Sequence, residues 1–156
     1  MMDPIVPDTG GKEQRVNPSD QDLIRVVNQN FYNALESRDL GLMRQAWADS
    51  DAIRCVHPGW ELLTGTSAVM KSFRAIFGVT EGLRISLSDP DIQIEGDIAV
   101  VHLVEKVLSR RGNGPNTFCE MQATNIFKKT DGRWRMILHH ASPFERRMTP
   151  PPSSQN

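Results

Sequence analysis

The spacing of apolar residues changes once along this 156-residue chain, and that change limits the folds open to it. Up to about residue 79 apolar side chains recur at helical spacing; from Leu83 they alternate with polar ones. Asn17-Pro18-Ser19 reads as a helix start, with Ser19 able to cap and Asp20 and Asp22 suited to the positive end of the helix dipole. Leu23, Val27, Phe31 and Ala34 then form a stripe flanked by Val26, Asn30 and Leu35, and the helix should end near Ser37. Asp39 is placed to cap a second, shorter helix carrying Leu42, Met43, Ala46 and Trp47. Ile53 to His57 is a short strand that His57-Pro58-Gly59 must break, because proline has no N–H to donate. Gly65 or Thr66 opens a third helix that buries Val69, Met70, Phe73, Ile76 and Phe77, with Gly78 placed as its stop.

Beyond Leu83 the pattern is that of strands. Leu83 to Leu87 alternates, Ile92 and Ile94 continue it, and Glu95-Gly96-Asp97 is a turn. Ile98 to Leu108 is apolar on both sides, as a covered central strand should be. Gly112-Asn113-Gly114-Pro115 is a loop. Phe118 to Lys129 and Arg133 to Ser142 are strands joined through Asp131-Gly132, a strong hairpin signal. Three helices followed by a meander of four or so strands define an α+β chain with the helices packed on a curved antiparallel sheet. Pro4, Pro7 and Pro18 at one end and Pro150 to Pro152 at the other bracket it. The domain should therefore span 19–145, with flexible tails over 1–18 and 146–156.

Composition excludes several classes. The longest aliphatic run, Ile98 to Val101, is far too short to span a bilayer, so no membrane association is expected. The N-terminus lacks the apolar stretch of a secretory signal, which makes the cytoplasm the default location. A formal net charge of −1 removes the main drive for nucleic-acid binding. Two cysteines, Cys55 and Cys119, make no disulfide framework and read as buried thiols. There is no CxxC, HExxH, GxGxxG or P-loop, so no cofactor is implied. His57, His102 and His140 lack the paired spacing of zinc ligands, and no metal site is expected.

The hairpin assigns faces. A two-residue turn at Asp131-Gly132 pairs Thr130 with Arg133, Phe127 with Met136, Asn125 with Leu138 and Ala123 with His140. These share one apolar face with Cys119 and Met121. Asn125 and His140 are its polar exceptions, as in a lined cavity or a satisfied core network. Trp60 could wall such a cavity, and Met121 joins the ligand contacts. The opposite face holds Phe118, Ile126, Ile137 and His139, which suits a homodimer interface better than solvent. Arg110–Arg111, beside the glycine loop, is either a contact for an anionic ligand or a solvated charge pair.

The helix FYNALESRDLGLMRQAWA, the segment IRCVHPGWELLTGTSAVMKSFRAIF and the hairpin ATNIFKKTDGRWRMILHHAS together resemble the NTF2-like superfamily, within it the SnoaL-like group, over about residues 20–144. The resemblance implies a cone-shaped, cystatin-like fold. A bent antiparallel sheet is wrapped by helices around an internal cavity, and the protein is usually dimeric through the sheet. It also places His57-Pro58 where ketosteroid isomerase, an enzyme of that superfamily, keeps the Asp-Pro of its general base. The oxyanion-stabilising tyrosine of that enzyme falls at Phe31, one residue before Tyr32, and no second acid matches. Steroid isomerisation is therefore not implied.

Two readings follow. In one, a small, mostly apolar ligand occupies the cavity of an isomerase, cyclase or dehydratase. His57 then acts as general base, His140 or Asn125 polarises an oxygen, and Trp60, Tyr32 and Met121 make further contacts. In the other, the chain is a non-catalytic dimerisation or ligand-carrier module similar to the calmodulin-dependent kinase II association domain.

Overall fold

The computed structural model describes residues 18–145. The expected tails, 1–18 and 146–156, lie outside the described residues except for Pro18. Helix α1 (Asp20–Ser37) starts on a capping box in which Ser19 accepts from the Asp22 N–H and the Asp22 carboxylate accepts from the Ser19 N–H. It ends at Arg38, which adopts a left-handed conformation with φ 53°. Its buried stripe is Ile24, Asn28, Phe31, Tyr32 and Ala34, rotated by one residue from the apolar one expected from spacing, so that Leu23 and Val27 are only partly covered. The rotation places two polar side chains, Asn28 and Tyr32, inside. Helix α2 (Leu40–Ala46) is capped by Asp39. Helix α3 (Thr66–Val79) starts at Gly65, whose φ of 85° suits glycine. Gly78 does not stop it: the helix runs to Val79 and passes directly into a strand.

The strands are β1 (Arg54–Val56), β2 (Leu63–Thr64), β3 (Thr80–Leu87), β4 (Asp91–Glu95), β5 (Ile98–Arg111), β6 (Thr117–Thr130) and β7 (Arg133–Pro143). They form one seven-stranded sheet in the order β2-β1-β7-β6-β5-β3, with β4 also on β5. The sheet is mixed rather than wholly antiparallel, because β1 lies parallel to β7 with Cys55 opposite His139. The core sits between the helices and one sheet face, around Phe31, Trp47, Phe73, Phe127 and Met136. Asp20 fastens the start of α1 to the β6–β7 hairpin: it accepts from Trp134 Nε1 at 3.0 Å and pairs with Lys129 Nζ at 3.1 Å. These two partners hold its carboxyl below the usual range, the Trp134 bond first.

The β6–β7 hairpin turns where expected. Thr130 pairs with Arg133, and Asp131 and Gly132 take φ values of 50° and 76°, as a type I′ turn requires. Pairing by twos holds through Phe127 and Met136 and then slips. Ile126 pairs with Leu138, so Ile137 is an extra residue on β7. This β-bulge inverts the faces beyond it. Asn125 faces His139 rather than Leu138, and Thr124 faces His140. His139 is buried and His140 exposed, the reverse of the unbulged pairing.

Candidate functional site

A cavity of about 550 Å³ opens between α3 and the inner faces of β3, β5, β6 and β7. Its deep wall carries His57, Glu105 and His139, all nearly buried, and its apolar middle includes Phe73, Ile76, Leu83, Ile85, Val107 and Met121. Alternation along β5 places Ala99, Val101, Leu103, Glu105 and Val107 inward, so Glu105 is the one acid in that buried row.

His57 ends the inward series Ile53, Cys55, His57. The following turn is set by Pro58 and by Gly59 at φ 79°, and the Trp60 N–H closes it on the His57 carbonyl at 2.9 Å. Trp60 is thereby folded over the imidazole edge-on, with ring centres 5.0 Å apart, and forms part of the cavity wall while 43% exposed. Ser72 Oγ donates its only proton to the Val69 carbonyl at 2.6 Å. It must therefore accept from His57 Nε2–H at 2.8 Å, which leaves Nδ1 as the ring's lone pair. Cys55 Sγ lies nearly equidistant from the two ring nitrogens, 3.9 Å from Nδ1 and 3.7 Å from Nε2. Burial pushes the Cys55 thiol up to about 12 and the His57 imidazole down to about 4. At neutral pH both are uncharged.

A second polar chain runs behind the cavity wall. Tyr32 Oη donates to Glu105 Oε1 at 2.6 Å and accepts from Asn125 Nδ2 at 3.0 Å. Asn125 Nδ2 also donates to Asn28 Oδ1 at 2.9 Å, and Asn125 Oδ1 lies 2.6 Å from His139 Nδ1. That amide oxygen can only accept, so His139 carries its proton on Nδ1 and keeps Nε2 as a lone pair. Burial, then the neighbouring His57 and His140, holds His139 at about 3, hence neutral. Burial raises Glu105 to about 7 even though the Tyr32 hydroxyl favours its charged form. The Tyr32 phenol is pushed far above its ordinary value by burial and by Glu105, and it stays a donor.

His57, Trp60 and Met121 thus line the cavity, and Tyr32 and Asn125 hold the groups that line it. His140 does not enter. It lies on the outer face because the Ile137 bulge shifts the register, and His139 takes the inward place. The same shift removes His139 from the outer face, where Phe118 remains 63% exposed opposite Leu108. Glu105 escaped the sequence reading although its signal was present, a single acid at the inward phase of an apolar strand. Among the described residues no three His, Cys, Asp or Glu side chains converge as a metal site, and His102 lies exposed on the outer face with His140. No described helix is long and apolar enough to cross a membrane.

Three helices against a curved, open mixed sheet that encloses a polar-ended cavity define an α+β protein of the NTF2-like, cystatin-like class. The SnoaL-like domain model matches residues 24–145, and the chain belongs to that family. A candidate dehydratase of the NTF2-like family from Streptomyces avermitilis is 32% identical, with a TM-score of 0.75 over 80% of this chain and 96% of its own. A candidate calcium/calmodulin-dependent protein kinase type II association domain from Thiobacillus denitrificans is 30% identical, with a TM-score of 0.69 over 78% and 94%. The F-box protein SKIP8 of Arabidopsis thaliana is 30% identical over 141 residues, which are 90% of this chain and 57% of that protein. The chain therefore spans little more than half the length of that plant relative.

Proposed function

We propose that the cavity binds a small, mostly apolar carbonyl compound and moves a proton on the carbon next to its carbonyl, in a dehydratase- or isomerase-type reaction. The observation that carries this reading is Glu105: a carboxyl on the cavity wall, held by Tyr32, that titrates at about 7. A base tuned to the working pH combines a useful fraction of the reactive form with enough basicity. In this proposal the general-base role expected of His57 passes to Glu105, because burial leaves the imidazole weakly basic. His57 Nδ1 and His139 Nε2 instead accept hydrogen bonds from a substrate hydroxyl. In a dehydration, the Glu105 carboxylate takes the α-proton and delivers it to the departing hydroxyl. The C–O bond breaks, a C=C bond forms, water leaves, and the carboxylate is restored. In an isomerisation the same proton returns to a different carbon. The likeness to a candidate dehydratase supports the reading.

The test needs no knowledge of the natural substrate. Exchange of the α-protons of β-tetralone in D2O, followed by NMR, should be faster with the protein than with buffer. It should rise through about pH 7 and vanish in Glu105→Gln. Exchange unchanged in Glu105→Gln removes the residue from the mechanism. A second reading, a homodimer through the outer sheet face, is favoured by the exposed Leu108–Phe118 pair and by the likeness to an association domain. A monomer by light scattering at micromolar concentration would refute it.

A further inference from the structure

The cavity is polar at both ends, and the two ends have opposite character. Its deep end is lined by His139, His57 and Glu105, and their other hydrogen bonds leave His139 Nε2 and His57 Nδ1 as acceptors. Its outer end is formed by the ends of β5 and β6 and the loop between them. There Arg111, Gly114, Pro115 and Thr117 line the cavity and are exposed. Gly112, at φ 49°, and the Gly114 N–H bond to the Arg111 carbonyl at 2.9 Å wind this loop tightly. A Cβ at Gly114 would meet that same carbonyl at 3.0 Å, so the tight turn leaves no slack there for a side chain.

Among the described residues lining the cavity, Arg111 is the one cation and Glu105 the one acid. Both lie on the inward phase of β5, six residues apart, which is roughly 20 Å along an extended strand. Arg111 makes no ion pair among the described residues, in contrast to Arg25, which pairs with Asp89 at 3.0 Å. Glu81, at the β3 bulge opposite Arg110 and Arg111, pairs with neither. The positive character extends past the mouth. Arg38, Arg84 and Arg110 line an adjoining depression that shares Leu83 and Ser109 with the cavity and has no acid among its described lining residues. In a chain of net charge −1, this edge is locally cationic.

From this gradient we infer that the ligand is an elongated amphipathic carboxylate. Its apolar body fills the middle of the cavity, its carboxylate meets Arg111 at the mouth, and its reacting, oxygen-bearing end lies against Glu105, His57 and His139. The reverse orientation is disfavoured, because a carboxylate at the deep end would meet lone pairs and another carboxyl with no cation beside it. A guanidinium suits the mouth because its planar fork matches a carboxylate bidentately. This inference names the substrate class of the site proposed above and rests on that reading.

Calorimetric titration of the full chain with dodecanoate and with its uncharged methyl ester tests it. The wild-type protein should bind the carboxylate about fivefold more tightly than the ester, the upper range for a partly exposed ion pair. Arg111→Gln should remove that preference and leave ester affinity unchanged, and Arg111→Lys should restore part of it. Equal affinities in the wild type overturn the carboxylate subsite while the cavity reading stands. A preference that survives in Arg111→Gln also overturns it, since the anion is then held elsewhere. Binding of neither compound overturns both readings.

Discussion

Replacing Glu105 by Gln should make the protein more stable at high pH and not at low pH. The carboxyl titrates near 4.5 in the open chain and at about 7 in the fold, so the folded state holds its proton more tightly. Well below pH 4.5 the group is protonated in both states and costs nothing. As pH rises through 4.5 the unfolded chain ionises first, and the penalty on the folded state grows until it is complete above 7. At about 1.4 kcal/mol per pH decade, the full penalty is about 3 kcal/mol. Glutamine is neutral at every pH, and its carbonyl can still accept the 2.6 Å bond from Tyr32. Its amide N–H can turn toward the cavity that Glu105 lines, where water can reach it. Urea unfolding followed by tryptophan fluorescence should therefore show the variant about 3 kcal/mol more stable at pH 8, or roughly 10 °C in Tm, and within about 0.5 kcal/mol of wild type at pH 4.5. His57 and His139 titrate in both proteins and cancel in the difference. A stability gap that is the same at both pH values, or a variant less stable at pH 8, would refute a buried acid tuned by desolvation. Paired with loss of α-proton exchange, the gain would mark Glu105 as a residue kept for chemistry at the expense of stability.

Two further outcomes follow from the network and the bulge. Asn125→Ala strands His139 Nδ1 and Asn28 Oδ1 behind the cavity, takes from the Tyr32 hydroxyl one of its two bonds, and should cost about 3 kcal/mol in urea unfolding; a loss under about 1 kcal/mol would mean that water replaces the amide. Diethyl pyrocarbonate should modify exposed His102 and His140 quickly and leave buried His57 and His139 protected until unfolding, read by peptide mass; rapid native-state modification of His139 would contradict the bulged register.

Much of the fold was legible because its signals are local. Ser19 and Asp39 cap the helices expected of them, and Asp131-Gly132 makes the expected turn, since each depends on a few neighbouring residues. His57 and Trp60 were legible for the same reason: the proline and glycine between them fix the turn. Asn125 stands out in the sequence as a polar residue on an apolar face, and it lies at the centre of the buried network. Tyr32 was harder. Apolar spacing alone set the helix face one residue away, and only packing against β5 brings its hydroxyl to Glu105.

The sequence by itself determined the order of elements, the α+β class and the inner face of β6, because helical period, alternation and turn residues act over short stretches of chain. The tertiary structure decided which histidine enters the cavity. A single extra residue, Ile137, reverses every side chain after it, and no local preference separates a bulged strand from a regular one. It also decided how the buried acid titrates. The titration of Glu105 is set by burial and by a tyrosine 73 residues away along the chain, so it exists only once α1 has closed over the sheet.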